Sequence, residues 1–381
     1  MRIAIDYTPA VHQRAGIGRY TRGLVKALAR LDAENWYTLL VLGRSGAHFT
    51  PAKLPANFRL RFGPISDRWA TVMWYRLNLP IPVDFFTGRT DLFHGPSFTL
   101  PPSFTPSILT VHDLSFLRYP PGAHPALLSW LTKAVPRSLQ RARHVLADSE
   151  STRADLIELL NIPANQITVI GAGVEERFQP VTDPKILANV RARYQLPHHF
   201  VLSVSTLEPR KNFTGLIAAF NHLVATAGKS STADLHLVIA GGKGWLYDDV
   251  FAAAKASPVQ ERIHFTGYVD DADLPALYSL ATLFAFPSHY EGFGIPVLEA
   301  MACGTPVVCA DNSSLPEVAG DAAVLVEATD TDALVDAMRL LLIDTSLRER
   351  LVRRGYKQAR KFTWEKAARR LLAVYRAVVG G

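Results

Sequence analysis

Cysteine is almost missing from this 381-residue chain, which has only Cys303 and Cys309. Both sit where an apolar helical stretch runs into a strand. Buried free thiols are the plain reading, and a disulfide or redox pair is the alternative. Neither their spacing nor their neighbours suggest a metal site. No apolar run approaches the roughly 18–20 residues that cross a bilayer. No signal-peptide pattern precedes the apparent first strand, Arg2–Tyr7, so a cytosolic location is expected. The chain has no zinc-finger spacing, no RNP-like aromatic motif and no basic run of five or more. Nucleic acid is therefore the least fitting partner. No G-x-G-x-x-G fingerprint follows Ile5, which argues against a dinucleotide-dependent dehydrogenase.

What is present is the composition of a folded protein: 48% hydrophobic and 20% charged residues. The length exceeds one ordinary core and suits two domains. The net charge of +7 is unevenly spread. Residues 1–176 hold 19 Lys and Arg against 13 Asp and Glu, and residues 177–381 hold 22 against 21. The basic excess lies almost wholly in the first half. There it can serve an anionic membrane or substrate, or simply form a solvated surface.

Short apolar segments alternate with amphipathic helical ones. The pattern predicts strands at Arg2–Tyr7, Tyr37–Leu42, Leu92–Gly95, Ile108–His112, His144–Ala147 and Ile167–Ile170. It continues with Phe200–Ser205, Leu235–Gly241, Ile263–Thr266, Leu283–Phe286 and Pro306–Ala310. Helices are predicted at Gly18–Leu31, Leu127–Arg141, Ser149–Leu160, Asn212–Ala227, Tyr247–Ala256, Asp271–Ser279, Ile295–Ala302 and from about Thr363 to Val379. This alternation means α/β architecture, with parallel sheets and crossover helices. The glycines and proline of Gly171–Pro180 suit a linker. The expected division is 1–176 and 177–362, with 363–381 as a final helix.

The richest stretch runs from Ser288 to Met301. Gly292 and Gly294 flank Phe293 just before a helix with Pro296 in its first turn. Glycines there allow close backbone approach to a ligand, and the helix start at Ile295 offers amides to an anion such as a diphosphate. Glu291 on the loop and Glu299 on the helix can reach different parts of one elongated ligand, and carboxylates accept from vicinal hydroxyls. Taken singly, each reads equally as a surface carboxylate. Arg210 and Lys211 end a strand-to-helix loop, where ligands of open parallel sheets bind, and can neutralise a departing diphosphate. His112 ends another strand and can bond a sugar hydroxyl or a phosphate, or be structural. Asp113 can cap the next turn, and His94 reads as structural. Gly16, in Ala15–Tyr20, forms either a close-approach loop or a plain helix start. Gly267 and Val269, in a glycine turn, can present backbone groups to a nucleobase edge, though a simple turn fits equally.

Taken together, these segments resemble retaining glycosyltransferase family 4 of the GT-B fold, over essentially the whole chain and most strongly from Val201 to Val326. The resemblance implies two Rossmann-like domains with parallel sheets facing a central cleft, the first for the acceptor and the second for a nucleotide-sugar donor. It implies that Glu291 contacts the transferred sugar and Glu299 the ribose. The backbone of Phe293, Gly294 and Ile295 would hold the diphosphate, with Arg210 and Lys211 as its basic clamp. His112 would reach the sugar and Gly16 the donor phosphate. The final helix would cross back to the first domain. Many members carry an arginine six residues ahead of the lysine, where this chain has Ser205. The Thr206–Asn212 form, with Arg210 beside Lys211, is similar to a subgroup rich in mannosyltransferases of polysaccharide and lipid-linked glycan assembly.

The resulting expectation is a hexosyltransferase that needs no metal or other cofactor. GDP-mannose is favoured as donor, with UDP- or ADP-sugars as alternatives. The acceptor would be a glycan or polyprenyl-linked sugar, and the location cytoplasmic, peripheral to the inner face of the cell membrane. Arg68–Leu77, which mixes aromatics with arginine, reads either as an interfacial helix or as a buried one. Other readings are a different GT-B enzyme such as a sugar-nucleotide epimerase, an inverting transferase, or a non-catalytic sugar-nucleotide binder.

Overall fold

A computed structural model describes residues 1–13, 16–43, 54–226 and 234–380. Of the positions discussed above, Ala15, the predicted helix end Ala227 and Gly381 lie outside the described residues. The chain forms two compact units. One comprises Met1–Leu117, Ala126–Gly173 and Thr363–Gly381, and the other Arg118–Pro125 and Val174–Phe362.

The first unit contains strands β1 (Arg2–Asp6), β2 (Trp36–Leu42), β3 (Phe58–Gly63), β4 (Leu92–Gly95), β5 (Ser107–Val111), β6 (His144–Ala147) and β7 (Ile167–Val169). They form one sheet in the order β3-β2-β1-β4-β5-β6-β7, and every pair is parallel. The second unit contains β8 (His199–Val204), β9 (Leu235–Ala240), β10 (Ile263–Gly267), β11 (Leu283–Phe286), β12 (Val307–Ala310) and β13 (Ala323–Val326). Their order is β10-β9-β8-β11-β12-β13, again all parallel. Both units are thus Rossmann-like α/β, the fold class expected. The central strands β5, β11 and β12 are buried along their whole length, as parallel strands covered on both faces should be.

The sheets contain two strands beyond those predicted, and both lie at an edge. β3 reads Phe-Arg-Leu-Arg-Phe-Gly and is half exposed, so no continuous apolar run marks it. β13 does carry an apolar run, four residues long. The helix predicted from Asp271 starts at Leu274 instead. Ahead of it, Asp270 and Asp273 turn out to bind Arg193, at 2.5 and 2.8 Å, and Pro275 occupies the first helical turn.

The helix Trp364–Gly380 belongs to the first unit. The Trp364 ring lies against Gly23, where a Cβ would stand 2.4 Å from it, and meets Tyr20 edge-on at 5.4 Å. Tyr375 is fully buried, with its hydroxyl 2.7 Å from His94 Nδ1. The other His94 nitrogen lies 2.8 Å from the Thr110 hydroxyl. Burial pushes the His94 pKa down to about 3, so the ring is neutral, a structural role as expected. Cys303 and Cys309 are buried free thiols.

Candidate active site

In an open parallel sheet, ligands bind beyond the strand carboxyl ends where the strand order reverses. In the second unit this point lies between β8 and β11, which pair directly. The loops after these two strands therefore leave side by side. The first carries Glu208, Arg210 and Lys211, and the second carries Glu291.

Asn212 ties the loops together. Its backbone is left-handed, with φ 55°, a conformation that asparagine tolerates. Its side-chain amide donates to the carbonyls of Pro287 and Ala328, at 3.1 and 2.8 Å, while its oxygen accepts from Gly215 N–H at 3.2 Å. The His289 amide donates to the Arg210 carbonyl at 2.8 Å. On this frame four charges converge. Arg210 Nη1 donates to the Tyr290 carbonyl at 2.7 Å and to Glu291 Oε2 at 3.0 Å. Arg210 Nη2 donates to Glu208 Oε1 at 2.7 Å. Lys211 Nζ donates to both Glu291 oxygens, at 2.7 and 3.0 Å, and lies 5.5 Å from the centre of the Phe286 ring. All four side chains are largely buried. Burial alone would raise the Glu291 pKa, but the charges of Lys211 and Arg210 outweigh it and hold the carboxyl below its ordinary value.

The Glu291 backbone is fixed by two serines: its amide donates to Ser313 Oγ, and its carbonyl accepts from Ser314 Oγ, both at 2.9 Å. Three residues on, Gly294 has φ 101°, and a Cβ there would stand 2.6 Å from Leu315 Cδ2. The turn therefore requires glycine. Helix Ile295–Ala302 follows with no side chain capping its start. Phe293 is buried with its ring edge-on to Phe362. Glu299 is buried and accepts from the Tyr278 hydroxyl at 3.0 Å. At the far edge of the sheet, Gly267 is exposed with φ 68°, and Val269 is buried.

Glu208 and the Arg118–Pro125 segment were missed by sequence reasoning. Tyr119 stacks on His289 at 4.8 Å, a Cβ on Gly122 would stand 3.2 Å from Arg210 Cβ, and Trp245 Nε1 donates to the Gly122 carbonyl at 2.8 Å. Nothing local in the sequence ties Tyr119 to His289. Glu208 had a signal, a carboxylate two residues ahead of a cation pair.

In the first unit, His112 stands just past β5. Its Nε2 donates to the Pro96 carbonyl beyond β4, and its Nδ1 to Asp148 Oδ2 beyond β6, both at 2.7 Å. Burial pulls its pKa down, but the Asp148 charge and these two bonds outweigh it and raise the value above the ordinary one. Asp113 caps the next turn by accepting from Ser115 N–H at 2.9 Å. Gly16, with φ 52° and ψ −117°, is the N-cap of helix Ile17–Leu31. The structure thus gathers Arg210, Lys211 and Glu291 into one cluster, with Ile295 four residues further along the same loop. Within Arg68–Leu77, Trp74 is buried, whereas Trp69 is 66% and Leu77 64% exposed.

Residues 14–178 match the family Glycosyltransferase Family 4, and residues 191–358 match Glycosyl transferases group 1. The chain is 35% identical to O-antigen chain mannosyltransferase B of Escherichia coli, across 99% of this chain and 100% of that protein. It is 29% identical to the serotype-specific mannosyltransferase WbdA of Escherichia coli, across 75% of this chain and 35% of that protein. Sucrose-phosphate synthase from Thermosynechococcus elongatus has a similar structure, with TM-score 0.77 at 22% identity over 100% of this chain and 99% of that one. WaaG, a glycosyltransferase involved in lipopolysaccharide biosynthesis, gives TM-score 0.72 at 16% identity over 100% of both chains. Anabaena HepE, solved with UDP and glucose, gives 0.72 at 17% over 98% of both.

Proposed function

The chain belongs to the glycosyltransferases, its two halves matching the family-4 and group-1 members, and from that premise we propose that it moves a mannosyl group from GDP-mannose to a glycan or lipid-linked acceptor hydroxyl with retention of anomeric configuration. The observation that carries this reading is the convergence of Arg210, Lys211 and Glu291 at the β8–β11 reversal point. The mannosyl assignment draws on the mannosyltransferase names of the relatives.

The barrier to such a transfer is charge separation: the sugar becomes oxocarbenium-like as the diphosphate departs. Arg210 and Lys211 are preorganised cations and supply the compensating charge. Metal is not required in this scheme. Phe293, Gly294 and Ile295 offer backbone to the diphosphate, Glu291 receives sugar hydroxyls, and Glu299 receives the ribose. Gly267 and Val269 are assigned to the base. From the first unit, Gly16 is assigned to the donor phosphate and His112 to a sugar hydroxyl. The acceptor oxygen attacks the anomeric carbon on the face the diphosphate leaves, and its proton passes to a donor phosphate oxygen. No helix among the described residues is long and apolar enough to cross a membrane. We assign the protein to the cytoplasmic face of the cell membrane, held by the basic first unit.

The test is incubation with GDP-mannose and a mannose-terminated polyprenyl-linked acceptor, with NMR of the product. An α-linked mannosyl product, formed equally well in EDTA, is expected. Turnover of UDP- or ADP-sugars alone would overturn the donor assignment, and a β-linked product would overturn retention.

A further inference from the structure

The two acidic side chains on the Arg210–Lys211 pair are held very differently. Glu208 is local. Its backbone is extended, the turn Pro209–Lys211 follows at once, and the Lys211 amide bonds back to the Glu208 carbonyl at 3.1 Å. Its side chain and both cations therefore ride on one rigid turn. Glu291 arrives from another loop, 80 residues away in sequence from Lys211. Its main chain is pinned by Ser313 and Ser314, but its carboxylate is held chiefly by the two cations.

The Arg210 Nη1 donors and two of the three Lys211 N–H groups are already committed. Both bonds from Arg210 Nη1 go to Tyr290 and Glu291, and Lys211 makes two short bonds to Glu291. An incoming diphosphate can take up these donors only by replacing an acceptor. Tyr290 O is main chain, and Glu208 is built into the turn that carries the cations. The Glu291 carboxylate is a side-chain acceptor bonded to both cations, so turning it away frees donors of Arg210 and Lys211 together.

We infer that Glu291 is an exchangeable place-holder for the donor diphosphate: its two oxygens sit where phosphate oxygens bind, and the diphosphate displaces them from Arg210 and Lys211. This rests on the donor reading above and adds an order of events. The displaced carboxylate turns to the sugar hydroxyls. After transfer no sugar remains to hold it, so it returns to the cations and expels the nucleoside diphosphate. Glu208 is the fixed counter-ion that keeps the clamp shaped throughout.

Calorimetric titration of the full chain with GDP and with UDP tests this. Glu291→Gln is expected to bind the preferred nucleotide about tenfold tighter than wild type, because no carboxylate–cation ion pair has to be broken first. Glu208→Gln is the control. It removes the same charge from the same cations at the position the diphosphate does not take, and is expected to gain less than about threefold. No gain in Glu291→Gln, or equal gains in the two variants, overturns the place-holder while leaving the donor site intact. Failure of the wild type to bind either nucleotide overturns the donor reading with it. Glu291→Ser repeats the measurement should the amide variant misfold.

Discussion

Lys211 Nζ lies 2.7 Å from Glu291 Oε1, joining residues on loops that follow neighbouring parallel strands. The pair exists because the strand order reverses between β8 and β11. Each loop rises from its own strand end, and no crossover helix lies between them.

Removing one cation should therefore disable chemistry more than folding. Lys211→Ala is expected to lower kcat by about 100- to 1000-fold, the usual scale for losing a group that stabilises developing negative charge. The circular dichroism spectrum should be unchanged. A fall confined to KM would contradict a role in leaving-group departure.

Gly294 is the most demanding backbone position of the site, with φ 101° and Leu315 Cδ2 in the way of any Cβ. Gly294→Ala is expected to destabilise the second unit by about 1–3 kcal/mol. It should also tilt the Ile295 amide and cost activity. Urea denaturation and turnover, measured on the same sample, check both. Wild-type stability would mean the turn has another way to relax.

His94 sets a pH dependence. Its folded pKa of about 3 lies below the ordinary 6.5, because burial disfavours the charged ring. Between those values the unfolded chain binds a proton there that the folded chain does not. The contribution is complete above pH 6.5 and is lost as pH falls toward 3, with a slope of up to about 1.4 kcal/mol per pH unit. His94→Gln should flatten the fall in denaturation midpoint between pH 6.5 and 4. Parallel curves for the two proteins would refute the assignment.

Trp69 is 66% exposed in a helix that also carries Arg68. If the first unit docks on an anionic bilayer, the protein should co-sediment with phosphatidylglycerol vesicles at low salt and release at high salt. Trp69→Ser should weaken that binding several-fold. No sedimentation of wild type at low salt rejects membrane docking.

Much of this was legible in the sequence because it is local. The apolar strands, the glycine turn before Ile295 and the adjacency of Arg210 to Lys211 are all short-range patterns. β3 was not legible, since Arg59 and Arg61 alternate along an edge that faces solvent. Partnerships across the fold were not legible either. Asp148 lies 36 residues from the histidine it holds, and the stacking of Tyr119 on His289 depends on a segment that leaves the first half of the chain to join the second unit. Glu208 shows the middle case: its residue type was visible beside the cations, but its burial was not.

The segment Thr363–Gly381, which holds the helix Trp364–Gly380, completes a unit whose other residues all lie before Val174. Until that helix has been made, Gly23, Tyr20 and His94 lack the Trp364 and Tyr375 side chains that pack on them. Every residue of the second unit precedes that helix in the chain. The unit that starts first in the chain thus receives its closing side chains only after all the residues of the second have been made.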